Sequence, residues 1–434
     1  MVKLFMFHKE KLQNKSTLIT IPVKGTEAVT VLMMFPVGSR YENAEQNGLS
    51  HFIEHMLFKG TLSRPTTLDI SKELDKVGAE YNAYTSRDHT GYYIKAAADK
   101  IELALDLLSD MVWNSKFNET ELEKEKGVIV EELNMYKDNP TMYIEQLFEE
   151  TLYHGHPLGR DIGGTAKTVR AVSRAQMVSY YKDFYQPANM ILAVAGKIDG
   201  QTAKLVKKYF FKNGAVPSGS RFEKFLCKEK SCPRAKVFFK ETDQTHLVLG
   251  FPAVNYESSI SPAVSLLNII LGGTMSSRLF VEVREKRGLA YMIHSGVNQY
   301  QDVGNFFIRA GLDKTRLAEA LKIIILELRK IKKDGVTAEE LKMAKDNVAG
   351  RFVLQLEDSS VQAEWYAKQA LLMKRTRTPE EELQRYKKVT AGEVKKAALK
   401  IFDIKKMRVA AIGAFKNSKE IVKMAWLADR DTGY

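Results

Sequence analysis

His51, Glu54 and His55 form an H-x-x-E-H array inside the stretch GLSHFIEHMLFKGT. On a helix, His51 and His55 stand at i and i+4, one turn apart on one face. Two neutral imidazoles at that spacing can share one metal ion, and zinc takes imidazole nitrogen at about 2.0–2.1 Å. Glu54 lies beside His55 and three residues from His51, near such an ion without having to ligate it. That placement suits a general base acting on a metal-bound water. Two histidines and a carboxylate on a largely apolar helix are costly to bury unless each is satisfied, which argues against a purely structural role.

A catalytic zinc takes three protein ligands and leaves one position open. The best source of the third ligand is the stretch 118–139, NETELEKEKGVIVEELNMYKDN. Asn118 reads as a helix cap with Glu121 three residues on, and Pro140 marks the end. Most of the charge between them reads as solvated helix face. Glu125 and Glu132 are seven residues apart, so two turns apart on one face. Glu131 is the rival ligand, turned about 100° round the helix.

The elements that must hold these residues occur twice. Residues 29–36 (VTVLMMFP) alternate like a strand and end at proline, as do residues 246–252 (HLVLGFP). An apolar helix follows in each half, ending in Lys59-Gly-Thr61 and in Gly272-Gly-Thr274. Then come Gly78-Ala-Glu-Tyr81 and Gly288-Leu-Ala-Tyr291, each opening a β-rich stretch. Long amphipathic helices occupy 99–113 and 313–331, and each half closes on a helix and a strand, at 173–196 and 390–413. Self-similarity at one long period indicates duplication. We therefore expect domains at 1–216 and 217–434, joined by the linker NGAVPSGS at 213–220. Each should be an α+β unit, a mostly antiparallel sheet packed with helices. In the register of the repeat, His51, Glu54 and His55 meet Val264, Leu267 and Asn268, while Glu125 and Glu132 meet Ala344 and Arg351. The second copy has lost the metal-site residues, so one ion per chain is expected.

Composition narrows the class. The 434 residues are 44% hydrophobic and 27% charged, which reads as soluble and globular. No apolar run approaches the roughly 20 residues that span a membrane, and no secretory signal is read at the N-terminus. The cysteines, Cys227 and Cys232, imply no disulfide framework and are expected as free thiols of a reducing cytosol. Residues 1–217 hold 27 basic and 27 acidic side chains, so the whole net charge of +13 lies in residues 218–434. A basic half can attract anionic partners, yet no nucleic-acid motif accompanies it. His154-Gly-His156 and the glycine pair at 272–273 lack the context of a metal or nucleotide site.

GLSHFIEHMLFKGT, followed 77 residues after His55 by Glu132 in EKGVIVEELNMY, resembles the pitrilysin (insulinase) family of zinc peptidases. The similarity is closer to its short two-domain branch, which includes mitochondrial processing peptidase β-subunits and bacterial homologues. The resemblance implies Zn²⁺ held by His51, His55 and Glu132, Glu54 as the base, and Glu125 supporting the site. The stretch VREKRGLAY at 283–291 resembles the family segment whose arginine and tyrosine serve the zinc site. Arg284 and Tyr291 would then grip the substrate carbonyl and stabilise the oxyanion, with Arg287 the rival cation. The stretch YNAYTS at 81–86 resembles the edge strand that takes extended peptide, which implies substrate contacts at Asn82, Ala83 and Tyr84. Phe58 resembles an aromatic of the primed-side pocket, with core packing an equal reading. The implied function is a zinc endopeptidase acting on short or unfolded peptides. Its implied partner is a second copy or a related subunit, with no nucleic acid and no membrane, in the cytoplasm. A targeting-peptide processing subunit and a non-catalytic assembly subunit are the alternatives.

Overall fold

The structure, a computed structural model, describes residues 6–210, 222–225 and 232–431. The linker at 213–220 and Cys227 lie outside the described residues, whereas Cys232 is a buried free thiol.

The β-branched and aliphatic runs of the first half build one sheet. Its strands are β1 (His8–Lys11), β2 (Thr17–Pro22), β3 (Ala28–Phe35), β4 (Glu80–Thr85), β5 (Thr90–Ala97) and β6 (Ile191–Gly196). They lie in the order β1-β2-β6-β3-β5-β4. Strands β2 and β6 pair in parallel, and the other pairs are antiparallel. The second sheet holds β7 (Ala235–Phe239), β8 (Gln244–Ala253), β9 (Ala290–Gln299), β10 (Gly304–Asp313) and β11 (Arg408–Gly413). Its order, β7-β11-β8-β10-β9, repeats that of β2-β6-β3-β5-β4, again with one parallel pair, β7 with β11. The duplication seen in the sequence is thus a duplication of sheet topology.

Among the described residues, eight α-helices belong to the first half of the chain. They are α1 (Leu49–Leu57), α2 (Thr67–Asp75), α3 (Ile101–Trp113), α4 (Glu119–Asp138), α5 (Pro140–Leu152), α6 (Ala166–Ala171), α7 (Arg174–Phe184) and α8 (Thr202–Phe210). The second half holds α9 (Ser261–Gly272), α10 (Leu317–Asp334), α11 (Ala338–Gln355), α12 (Ser359–Leu372), α13 (Pro379–Lys388), α14 (Ala391–Ile401) and α15 (Ser418–Asp431). Among the described residues, no helix is long and apolar enough to cross a membrane.

The compact units differ from a single cut at 216/217. The first unit comprises Met1–Leu133, Asp161–Glu223 and Phe352–Glu381; the second comprises Asn134–Arg160, Lys224–Arg351 and Glu382–Tyr434. The reason is where two helices bury their apolar faces. In the second unit, Ile144, Leu147, Phe148 and Leu152 of α5 pack on Val248, Phe307, Ala410 and Ile412 of the sheet. In the first, Ala363, Tyr366 and Ala367 of α12 pack on Ile21, Leu32, Met34 and Ala193. The start of α12 is pinned there by Thr30 Oγ1 to Ser359 Oγ at 2.8 Å and by Lys95 Nζ to Asp358 Oδ2 at 2.9 Å. Each repeat therefore lends one helix to the other unit's sheet. With helices on both faces, β6 and β11 are buried along their whole length, and β3 from its second residue on. The half-exposed alternation expected for residues 29–36 is absent for that reason.

Candidate metal centre

Helix α1 starts at a strained point that only glycine tolerates. Gly48 caps it with φ of 98°, in the left-handed region, and offers no side chain to the open amides. Glu42 supplies that missing cap. Its carboxylate accepts from the amides of Gly48 at 2.8 Å and Ser50 at 2.7 Å. Burial pushes the Glu42 carboxyl up to about 7, against the pull of those hydrogen bonds. The Gly163-Gly164 turn closes against the same start, since a Cβ on Gly164 would lie 2.4 Å from the Asn47 carbonyl oxygen. Phe52, Ile53, Met56 and Leu57 sink into the core of the first unit, so the opposite stripe turns His51, Glu54 and His55 outward, each half-buried.

Helix α4 is capped as its sequence implies: Asn118 Oδ1 accepts from the Glu121 amide at 3.2 Å, and the helix ends just before Asn139-Pro140. Leu122, Ile129, Val130 and Leu133 are buried, which fixes the phase of the helix. That phase buries Glu125, half-buries Glu132 and leaves Glu131 exposed.

His51 Nε2 and His55 Nε2 are 3.2 Å apart, and Glu132 Oε2 lies 3.7 Å and 3.6 Å from them. Among the described residues this is the one group of at least three His, Cys, Asp or Glu donors close enough to hold an ion. A tetrahedral ion with bonds of about 2.0–2.1 Å needs donor atoms about 3.3–3.4 Å apart, so the triangle fits zinc closely. Burial and the neighbouring His55 lower the His51 pKa to about 4, so the ring is neutral at pH 7, the form that ligates a metal. Two imidazole lone pairs and a carboxylate oxygen converging in this way repel one another unless a cation lies between them.

A further carboxylate sets the tautomer. His55 Nδ1 lies 2.8 Å from Glu125 Oε1, and Lys59 Nζ lies 2.7 Å from Glu125 Oε2. Burial works against ionising Glu125, but the bonds from His55 and Lys59 outweigh it and hold the carboxyl below its ordinary range. An ionised Glu125 accepts the Nδ1 proton of His55 and leaves the Nε2 lone pair for the metal. Glu125→Gln is expected to weaken zinc binding about 10–100-fold, as loss of such an orienting partner does. Competition against a chromophoric chelator measures this, and an unchanged affinity would remove Glu125 from the site.

Glu54 stands beside the triangle. Thr85 Oγ1 donates to its Oε2 at 2.5 Å. Burial raises the Glu54 pKa and the Thr85 bond opposes the rise. Thr85 ends β4, the terminal strand of the sheet order, so the expected edge strand does lie beside the array. Its side chains divide between two faces. Ala83 joins the core on the α1 side, while Tyr84 packs against the cluster under α12. Asn82 is exposed, and its Oδ1 accepts from the Ala83 amide at 2.9 Å. Any recognition by Asn82, Ala83 and Tyr84 as a strip is thus through backbone. Phe58 packs on the core, its ring 6.4 Å from that of Tyr81.

Arg284 and Tyr291 belong to the second unit, where they stand together. The Arg284 guanidinium lies 5.6 Å from the Tyr291 ring centroid and 4.7 Å from that of Phe280. Tyr291 is 77% exposed, unusual for so large a ring. The rival cation, Arg287, is tied to Glu282 Oε2 at 2.7 Å. At the positions equivalent to His51 and Glu54, Val264 and Leu267 are fully buried. At the third, Asn268 Oδ1 accepts from Ser295 Oγ at 2.6 Å. Sequence reasoning missed Glu42, Lys59 and Thr85. Lys59 carries a faint signal, four residues after His55 though two beyond the end of α1; Thr85 lies within the YNAYTS stretch without being singled out there, and Glu42 carries none.

Residues 18–166 match the insulinase family (peptidase family M16), and residues 171–348 match the domain described as the peptidase M16 inactive domain. An uncharacterized zinc protease of Bacillus subtilis is 35% identical over 86% of this chain and 90% of its own length. One of Streptomyces coelicolor is 32% identical over 93% of this chain and 88% of its own. The crystal structure of a protease from Helicobacter pylori superposes with a TM-score of 0.86 at 23% identity, covering 94% of this chain and all of that one. The chain belongs to the insulinase family, peptidase family M16.

Proposed function

We propose that the protein is a zinc-dependent endopeptidase of short or unfolded peptides, with one Zn²⁺ held by His51, His55 and Glu132. The triangle of three donor atoms, with Glu54 beside it and the His55 tautomer fixed by Glu125, carries this reading. Its relatives in Bacillus and Streptomyces, named as zinc proteases, support it. Zinc bound there supplies Lewis acidity, which brings a water toward deprotonation near neutral pH and polarises a carbonyl. Glu54 Oε2 is engaged by Thr85, which leaves Oε1 to take the proton of the attacking water and pass it to the leaving amine. The outer edge of β4, which no described strand pairs, lines up an extended substrate through backbone hydrogen bonds, so affinity does not demand one sequence. Arg284 and Tyr291 are assigned the substrate carbonyl, as cation and hydroxyl donor. The chain acts in the cytoplasm, as a homodimer or with a related subunit.

The deciding measurement is metal content beside hydrolysis of an internally quenched peptide, with and without a chelator. About one zinc per chain, and activity abolished by chelator and restored by zinc, are expected. Hydrolysis indifferent to chelation would overturn the proposal. Arg284→Ala and Tyr291→Phe are each expected to keep zinc and lose about 10²–10³ in kcat, the usual cost of removing one oxyanion donor. Parental kinetics in both variants would remove the pair from the mechanism.

A further inference from the structure

His51 and His55 are held by different means. The ring of His55 is fixed by Glu125 at Nδ1, whereas Nδ1 of His51 is buried and has no hydrogen-bond partner among the described residues. That nitrogen faces bare backbone, since a Cβ on Gly163 would lie 3.6 Å from it. With no side chain to orient the ring, the place of His51 follows from the backbone of the first turn of α1. That turn hangs on Glu42. Its Oε1 accepts from the amide of Ser50, the residue before His51, at 2.7 Å. Its Oε2 accepts from the Gly48 amide at 2.8 Å and from Asn47 Nδ2 at 3.2 Å.

Glu42 is tied in turn to the residues that hold the base. The turn Ser39–Tyr41 before it lies on the turn at 86–89. The Ser39 amide donates to the Ser86 carbonyl and the Arg40 amide to the Arg87 carbonyl, each at 3.2 Å. Only glycine allows so close an approach, because a Cβ on Gly38 would lie 2.1 Å from the Ser86 carbonyl oxygen. Arg40 Nη1 donates to Asp88 Oδ1 at 2.8 Å, and both side chains are buried, so a desolvated ion pair locks the two turns together. Thr85, next to Ser86, donates to Glu54. A closed circuit therefore runs from the start of α1 through Glu42, Arg40, Asp88 and Thr85 back to Glu54 on the same helix.

The second repeat has no ligands to place and lacks this device. It has Tyr256-Glu257 where the first has Tyr41-Glu42, but Glu257 is exposed. Helix α9 begins Ser261-Pro262 with no capping side chain, and proline brings no amide that needs one.

We infer that Glu42 positions His51 for the metal ion, the task that Glu125 performs for His55. Glutamine at this place would keep one acceptor oxygen and turn its NH2 toward an amide that is itself a donor, so the first turn of α1 would lose part of its anchor. That role presupposes the zinc site proposed above, and zinc binding by the parent protein tests that site in the same series.

The experiment follows the full chain by zinc affinity, in competition with a chromophoric chelator, and by the visible spectrum of bound Co²⁺. Glu42→Gln is expected to weaken zinc by about tenfold or more, the scale of losing an orienting partner, and to change the Co²⁺ bands in position and intensity. In a His51→Ala background, where His55 and Glu132 carry the remaining affinity, Glu42→Gln should weaken zinc no further. Leu74→Ala, which opens a cavity elsewhere in the same core, should lower Tm and leave zinc affinity and the Co²⁺ spectrum at parental values. No zinc in the parent removes the site and the role together; parental affinity in Glu42→Gln removes the role and leaves the site. The role also falls if Glu42→Gln costs as much without His51 as with it, or if Leu74→Ala loses zinc to the same degree. Should Glu42→Gln fail to fold, Glu42→Asp, which keeps the charge and is one methylene too short to hold both amides, decides by the same readings.

Discussion

Glu54→Gln is expected to bind zinc as the parent protein does and to hydrolyse peptides slower by at least about 10²–10⁴. Glutamine keeps the shape of the side chain and can still accept the Thr85 hydroxyl through its amide oxygen. It has no basic oxygen left for the proton of the attacking water. The donor triangle does not include Glu54, so metal content should hold. The two readouts must therefore separate: zinc per chain unchanged, turnover lost. A zinc-loaded variant with near-parental turnover would show that another group takes the proton. Loss of zinc from the variant would instead place Glu54 among the ligands.

Glu132→Gln should lose zinc, and Glu131→Gln should keep it. The two residues adjoin in sequence but differ by about 100° round α4. Burial of Leu122, Ile129, Val130 and Leu133 sets the phase of the helix, and with it Glu132 Oε2 reaches 3.6–3.7 Å from both imidazole nitrogens. Removing that carboxylate takes away one of three donors and the only anionic one. Its cost should therefore exceed the about 10–100-fold expected for an orienting partner such as Glu125. Zinc measured after dialysis against a graded chelator series gives the ranking Glu132→Gln far below Glu125→Gln, with Glu131→Gln at parental level. Metal lost from Glu131→Gln alone would mean that α4 is turned by one residue from this phase.

How much of the fold and the site is legible in the chain alone varies with the range of the interaction. The spacing of His51 and His55, the shared face of Glu125 and Glu132, the Asn118 cap and the duplication all follow from periods of a few residues or from self-similarity, and a chain carries those openly. The register of the repeat also shows that Val264, Leu267 and Asn268 stand where the first copy has its array, and the burial of Val264 and Leu267 in the second unit agrees. Period says which face of a helix is buried; it does not say what lies against that face. Hence the exchange of α5 and α12 between the sheets is invisible in sequence, because an apolar stripe such as Ile144, Leu147 and Phe148 fits either sheet equally. The same limit hides Thr85 behind Glu54 and Glu42 at the head of α1, both side chains brought in from other segments of the chain. Sequence by itself determined the ligand types, their helical spacing and the twofold plan. Tertiary structure alone decided which tautomer His55 adopts and which sheet each of α5 and α12 covers, because each depends on packing between residues far apart along the chain.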